Sequence, residues 1–216
     1  MKIRAVIFDL DGTLLDTTEE IHYIFNQLLL INDLPTRSQQ FYKDTIGKGI
    51  DHLLKRCLPE KFDGDYGSIL EQAKKLYSIN LNKKARVFEG VPDVLDQLSE
   101  KNVRMGIITN KMHHLALRCV DRFFDKYGLK TIGAEYLYPR KPDPDSALSL
   151  AQDFGYSSSE VLFIGDSSVD MVTAKNAGMV SAGVLWGNGT CAELEGSGAD
   201  MVFESPRDLF LFMEKI

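Results

Sequence analysis

The chain opens with Ile3-Arg4-Ala5-Val6-Ile7-Phe8-Asp9-Leu10-Asp11-Gly12-Thr13-Leu14, an apolar run broken by two aspartates and a glycine. Rich in β-branched residues, Ile3 to Leu10 reads as a buried strand and is too short for the core of a signal peptide. Working outward, similar runs recur at Val103 to Thr109, Val161 to Gly165 and Val180 to Leu185, with a weaker one at Met201 to Phe203. Helical stripes separate them. Val91, Val94, Leu95 and Leu98 precede the second run, and Ala147, Leu148, Leu150 and Ala151 precede the third. Alternating strand and helix predict a parallel sheet covered on both faces.

Between the first and second runs lie about 70 residues, where a strand-helix-strand unit needs roughly 30. This insertion must hold structure of its own. Thr17 and Glu20 have capping-box spacing, and Ile21, Ile24, Phe25, Leu28 and Ile31 continue at helical spacing. Tyr66, Ile69, Leu70, Ala73, Leu76 and Tyr77 repeat the pattern. The expectation is a small helical cap entered near Asp16 and left near Arg86, with Pro35, Gly47, Gly49, Pro59 and Gly64 at its turns.

Composition removes whole classes of function. With 216 residues, 44% hydrophobic and 26% charged, the chain is globular, and folding buries roughly 70% of its unfolded surface. A net charge of -6, from 25 basic and 31 acidic residues, supplies no basic field for a nucleic-acid backbone. Cys57, Cys119 and Cys191 are odd in number and widely spaced, so neither a disulfide framework nor a zinc site is expected, and a reducing cytoplasm is the expected location. No run of about 18 apolar residues predicts a membrane span.

Open parallel sheets bind ligands beyond the carboxyl ends of their strands. Polar residues after strand-like runs should therefore share one crevice: Asp9, Asp11, Gly12 and Thr13; Thr109 and Asn110; Gly165 and Asp166, with Asp170 four residues on. Lys141-Pro142-Asp143-Pro144 joins them from a loop before a helix. Such clustered carboxylates need a cation, and hard oxygen ligands suit Mg²⁺. A metal, a lysine and hydrogen-bond donors are what a transferring phosphoryl group requires. No Walker loop or dinucleotide-binding glycine fingerprint is present, whereas an aspartate nucleophile is.

The segment Phe8-Asp9-Leu10-Asp11-Gly12-Thr13-Leu14, followed in order by Thr109, Lys141 and Gly165-Asp166 with Asp170, resembles the haloacid dehalogenase-like hydrolases. The resemblance is to their phosphoglycolate phosphatase-like branch with a helical cap, and it covers essentially the whole chain. It implies an α/β, Rossmann-like parallel-sheet core at 1–15 and 87–216, with a small all-helical cap domain at 16–86 inserted after the first strand. It also implies that Asp9 attacks phosphorus while Asp11 protonates the leaving group and later activates water. Mg²⁺ would be held by Asp9, the backbone carbonyl of Asp11 and Asp166, with Asp170 supporting the metal shell or Lys141. Gly12, Thr109, Asn110 and Lys141 would bind phosphate, Lys141 also neutralising Asp9. The family's dehalogenases and phosphonatases replace the acid at the Asp11 position, so its presence favours phosphate esters. One departure is Phe88-Glu89-Gly90-Val91, where relatives commonly carry proline before the glycine.

Taken singly, each of these aspartates reads as a turn or cap residue, Lys141 as a solvated loop lysine and Thr109 as a strand residue; only the ordered set overturns that. His22, His52, His113 and His114 lack metal-ligand spacing and receive no role. Gly47-Lys48-Gly49 is either a plain turn or a cap loop reaching substrate. Trp186, Phe154, Phe203, Phe210 and Phe212 read as packing. The expected activity is Mg²⁺-dependent hydrolysis of a small soluble phosphomonoester, phosphoglycolate-like, through a phospho-Asp9 intermediate, with no nucleic-acid or membrane partner. A β-phosphoglucomutase-like phosphoryl transfer to a sugar phosphate is the alternative, and a non-enzymatic binding protein on the same scaffold ranks below both. Substrate identity, and monomer against homodimer, stay open at this level.

Overall fold

The computed structural model describes residues 2–215; Met1 and Ile216, the outer ends of the expected core segments, lie outside the described residues. In chain order come β1 (Ala5–Phe8) and β2 (Leu15–Asp16), then α1 (Thr18–Ile31), α2 (Gln39–Lys43), α3 (Ile50–Cys57) and α4 (Tyr66–Asn80). The chain continues with β3 (Arg86–Val87), α5 (Val91–Glu100), β4 (Arg104–Met112), α6 (His113–Phe123) and β5 (Lys130–Ala134). It ends with α7 (Asp145–Phe154), β6 (Val161–Gly165), α8 (Ser168–Asn176), β7 (Val180–Val184), α9 (Cys191–Gly196), β8 (Met201–Phe203) and α10 (Pro206–Met213).

Six strands form one sheet in the order β5-β4-β1-β6-β7-β8, every neighbouring pair parallel. Alternation along β1 assigns its faces. Val6 and Phe8 enter a large core with Val94 and Leu95 of α5 and Leu209 of α10. Ala5 and Ile7 enter a second core with Ala147 and Leu150 of α7 and Ala174 of α8. Both faces are therefore covered, which is why β1 is apolar without interruption. Strand order reverses at β1, with β4 on one side and β6 on the other, so the crevice opens where β1 ends at Asp9.

The long insertion is helical, running from α1 to α4 between β2 and β3. Those two short strands pair antiparallel, Leu15 with Val87 and Asp16 with Arg86, so the chain enters and leaves the helical segment side by side. Phe25, Leu28 and Leu29 of α1, Tyr42 of α2 and Leu54 of α3 are fully buried and give this segment an apolar centre.

The expected capping box at α1 does not form. Thr17 is the N-cap, yet its side chain makes no cap hydrogen bond and its Oγ1 is buried without a partner. Asp16 Oδ1 accepts from Thr18 N (3.0 Å), while Glu20 turns to the returning chain and accepts from Lys84 N (3.2 Å). A second difference is β5, an edge strand whose Lys-Thr-Ile-Gly-Ala sequence carries one large apolar residue and hence no readable run. A third is β4, which extends to Met112 with a register break against β5 between Thr109 and Met112. Irregularities of this kind re-aim side chains.

Candidate active site

Asp9 follows β1 directly, its N–H continuing the ladder by donating to Ile164 O (2.8 Å). The chain then turns sharply through Asp11 and Gly12. Gly12 has φ +94°, and a Cβ there would fall on the Asp166 carboxylate, so the sequence can place no other residue at this point without displacing Asp166. From the end of β6, Asp166 is bound from three directions: Thr13 Oγ1 donates at 3.1 Å, Asn188 N at 2.8 Å and Asn188 Nδ2 at 3.1 Å. Asp170, on the first turn of α8, accepts from Ser167 N (3.1 Å) and Ser167 Oγ (2.6 Å) through one oxygen. Its other oxygen lies 2.6 Å from Lys141 Nζ, which also sits 2.7 Å from Asp9.

All these groups are buried, Asp9, Asp166 and Asp170 to within 3% of complete. Their carboxylate oxygens come within 4.8 Å of one another. Burial raises Asp9 above the ordinary carboxylate value, Asp170 and Asp166 add to the rise, and Lys141 opposes it. Asp166 rises for the same first reason and through Asp170. For Lys141, burial disfavours the ammonium, but Asp170 and Asp9 outweigh it and hold the side chain charged. One lysine against three packed acids leaves negative charge unmatched, and this donor set of hard oxygens fits a divalent cation such as Mg²⁺. Asp9 and Asp166 are its candidate ligands; Asp170 already serves Lys141 and Ser167.

Thr109 and Asn110 lie beyond the regular part of β4 and line the same pocket as Asp9 and Asp11. Thr109 Oγ1 accepts from Lys111 N (3.2 Å). The Asn110 amide donates to Gly47 O (3.0 Å) and to Lys141 O (3.1 Å), tying the insertion's loop to the sheet edge. Gly47 and Gly49 thus reach the pocket, whereas Lys48 is exposed. The pocket's remaining wall is apolar, with Ile21, Ile46, Ile50 and Leu53 from the insertion and Met112 from β4.

Three site residues escaped the sequence reading. Asn188 follows β7 within Gly187-Asn188-Gly189-Thr190, and the rule that found Asp166 would have found it too. Lys111 is buried, its Nζ 2.9 and 3.1 Å from the two oxygens of Asp11. Tyr77, assigned to the apolar stripe of α4, places its hydroxyl 2.6 Å from the same Nζ. No local signal marks either one. The histidines make ordinary contacts: His113 stacks on Tyr136 and its Nδ1 accepts from Gly133 N, and His22 meets Tyr42 edge-on. All three cysteines are free, and no helix among the described residues is long and apolar enough to cross a membrane.

Comparison with known proteins agrees with this geometry. A phosphoglycolate phosphatase from Xanthomonas campestris pv. campestris (strain 8004) is 30% identical over 185 residues, covering 85% of this chain and 84% of its own. Another from Escherichia coli (strain K12) is 28% identical over 240 aligned residues, covering 96% and 91%. The crystal structure of a predicted phosphoglycolate phosphatase from Haemophilus somnus 129PT shares the fold, with a TM-score of 0.90 at 24% identity over 98% of each chain. The family profile described as haloacid dehalogenase-like hydrolase matches residues 6–184. With a parallel sheet whose central strand delivers Asp9 and Asp11 to a buried carboxylate cluster, this chain belongs to the haloacid dehalogenase-like hydrolases.

Proposed function

We propose that the protein is a Mg²⁺-dependent phosphatase that hydrolyses a small phosphomonoester through a phospho-Asp9 intermediate. The observation that carries this reading is the shared pocket of Asp9 and Asp11, with Lys141 against Asp9 and further acids beside it. In the first step an Asp9 oxygen bonds to phosphorus as the ester P–O bond breaks. The departing oxygen keeps the electron pair and takes a proton from Asp11. Water then gives a proton to Asp11 and bonds to the same phosphorus, the Asp9–phosphorus bond breaks, and inorganic phosphate leaves. Lys141 holds Asp9 in line and balances its charge, while Thr109, Asn110 and Gly12 frame the phosphoryl oxygens. Mg²⁺, held by Asp9, Asp166 and the Asp11 carbonyl, supplies electrostatic neutralisation of the phosphoryl group.

Residues 16–86 act in this reading as a cap over a core formed by 1–15 and 87–216, with Gly47–Gly49 as the loop nearest substrate. Phosphoglycolate heads the candidate substrates because the relatives above carry that name. Phosphate release from small phosphoesters, pyrophosphate and sugar phosphates, measured with and without Mg²⁺, tests the proposal. Metal-dependent release is expected, and Asp9→Asn should lower it at least about 10³-fold. Unaltered release by Asp9→Asn would reject the mechanism, and isomerised sugar phosphate without free phosphate would replace hydrolysis by mutase chemistry.

A further inference from the structure

Lys111 is the one buried cation near the pocket to which the mechanism above gives no task. Its side chain is 1% exposed, and it lies past the register break that turns the end of β4 toward the site. An ammonium has three N–H groups, and here all three have partners: two meet the Asp11 oxygens at 2.9 and 3.1 Å, and the third meets Tyr77 Oη at 2.6 Å. The ammonium also stands 4.8 Å from the centre of the Tyr77 ring. With every donor engaged, it has none left to bind a substrate anion. What it does instead is hold both oxygens of one carboxylate, which fixes the plane of Asp11.

Tyr77 belongs to α4 of the insertion, while Lys111 and Asp11 belong to the sheet edge. The link therefore runs from the insertion to the acid of the reaction. Glu20 of α1, buried one turn into the insertion, lies within electrostatic reach of the same ammonium. Burial alone would discharge Lys111, but Asp11 outweighs it and the side chain stays protonated.

We propose that Lys111 is a positioning residue for Asp11, and that Tyr77 ties this positioning to the seating of α4, so that the proton donor is aligned only when the insertion is closed over the pocket. The inference rests on the phosphatase reading. It predicts a selective defect in the step that needs Asp11's proton, departure of a basic leaving group.

The test compares two esters of similar size, ethyl phosphate and acetyl phosphate, in the full-length wild type, Lys111→Met and Tyr77→Phe. Ethoxide must be protonated to leave, whereas acetate departs as an anion. Because kcat/KM reports only the steps through leaving-group departure, the later use of Asp11 as a base does not enter. The ratio of kcat/KM for ethyl phosphate to that for acetyl phosphate should fall at least about tenfold in Lys111→Met and about threefold in Tyr77→Phe. Equal losses on both esters, or an unchanged ratio, would overturn the positioning role. Tyr77→Phe keeps the ring and the packing of α4, so it decides the question even if Lys111→Met fails to fold. Asp9→Asn run alongside separates the two levels: turnover by that variant refutes the aspartyl-phosphate reading, whereas its inactivity with an unchanged ratio refutes only the role of Lys111.

Discussion

Gly12 shows how one position serves both backbone and site. Its φ of +94° and the Asp166 carboxylate against its α-carbon leave no volume for a methyl group. Gly12→Ala is expected to destabilise the protein by about 1–3 kcal/mol and to weaken Mg²⁺ activation by displacing Asp166. Thermal denaturation and a Mg²⁺ titration of activity check both effects, and a variant matching the wild type in each would contradict the packing described. At this scale Asp9, Asp11, Thr109, Lys141 and Asp166 were legible because each stands at or near the carboxyl end of an apolar run. Lys111 was not, since a lysine two residues past Thr109 reads as solvated until Tyr77, 34 residues away in sequence, covers it.

Helix α1 illustrates how a correct element can rest on a wrong local reason. Its apolar stripe was readable, and its start at Thr18 was placed to within a residue, yet Thr17 does not cap it. Asp16 and Lys84 supply the competing partners, and the second arrives only when the chain returns through β3. Because Thr17 Oγ1 is buried and unpartnered, Thr17→Val should leave stability unchanged or raise it by up to about 1 kcal/mol. A loss of about 1 kcal/mol in chemical denaturation would instead indicate a working cap. β5 was illegible for a different reason: its edge position asks for little apolar surface, and only Ile132 among its five residues is large and apolar.

Across the whole molecule, an acidic chain concentrates its most strained charges at the topological reversal of one sheet, and this links folding to metal. Asp9 and Asp166 both titrate above the ordinary carboxylate value of 3.8, chiefly through burial. The folded protein thus retains protons that the unfolded chain has released, so metal-free stability should decrease as pH rises above about 4. Mg²⁺ favours the ionised carboxylates, and the gain in Tm on adding it should be larger at about pH 8 than at about pH 5.5. A gain that shrinks over that interval would contradict Mg²⁺ binding by these acids. The parallel sheet and the helical insertion were readable from periodicity and length, whereas the contacts joining insertion to site, Asn110 to Gly47 and Tyr77 to Lys111, exist only in three dimensions. The central claim is the covalent intermediate on Asp9. Rapid acid quench during turnover of the best phosphoester, followed by mass spectrometry of the digested protein, addresses it directly. One phosphoryl group on the peptide containing Asp9, absent in Asp9→Asn, is the predicted result; turnover with no phosphorylated peptide, or with the phosphoryl group on another residue, would contradict it.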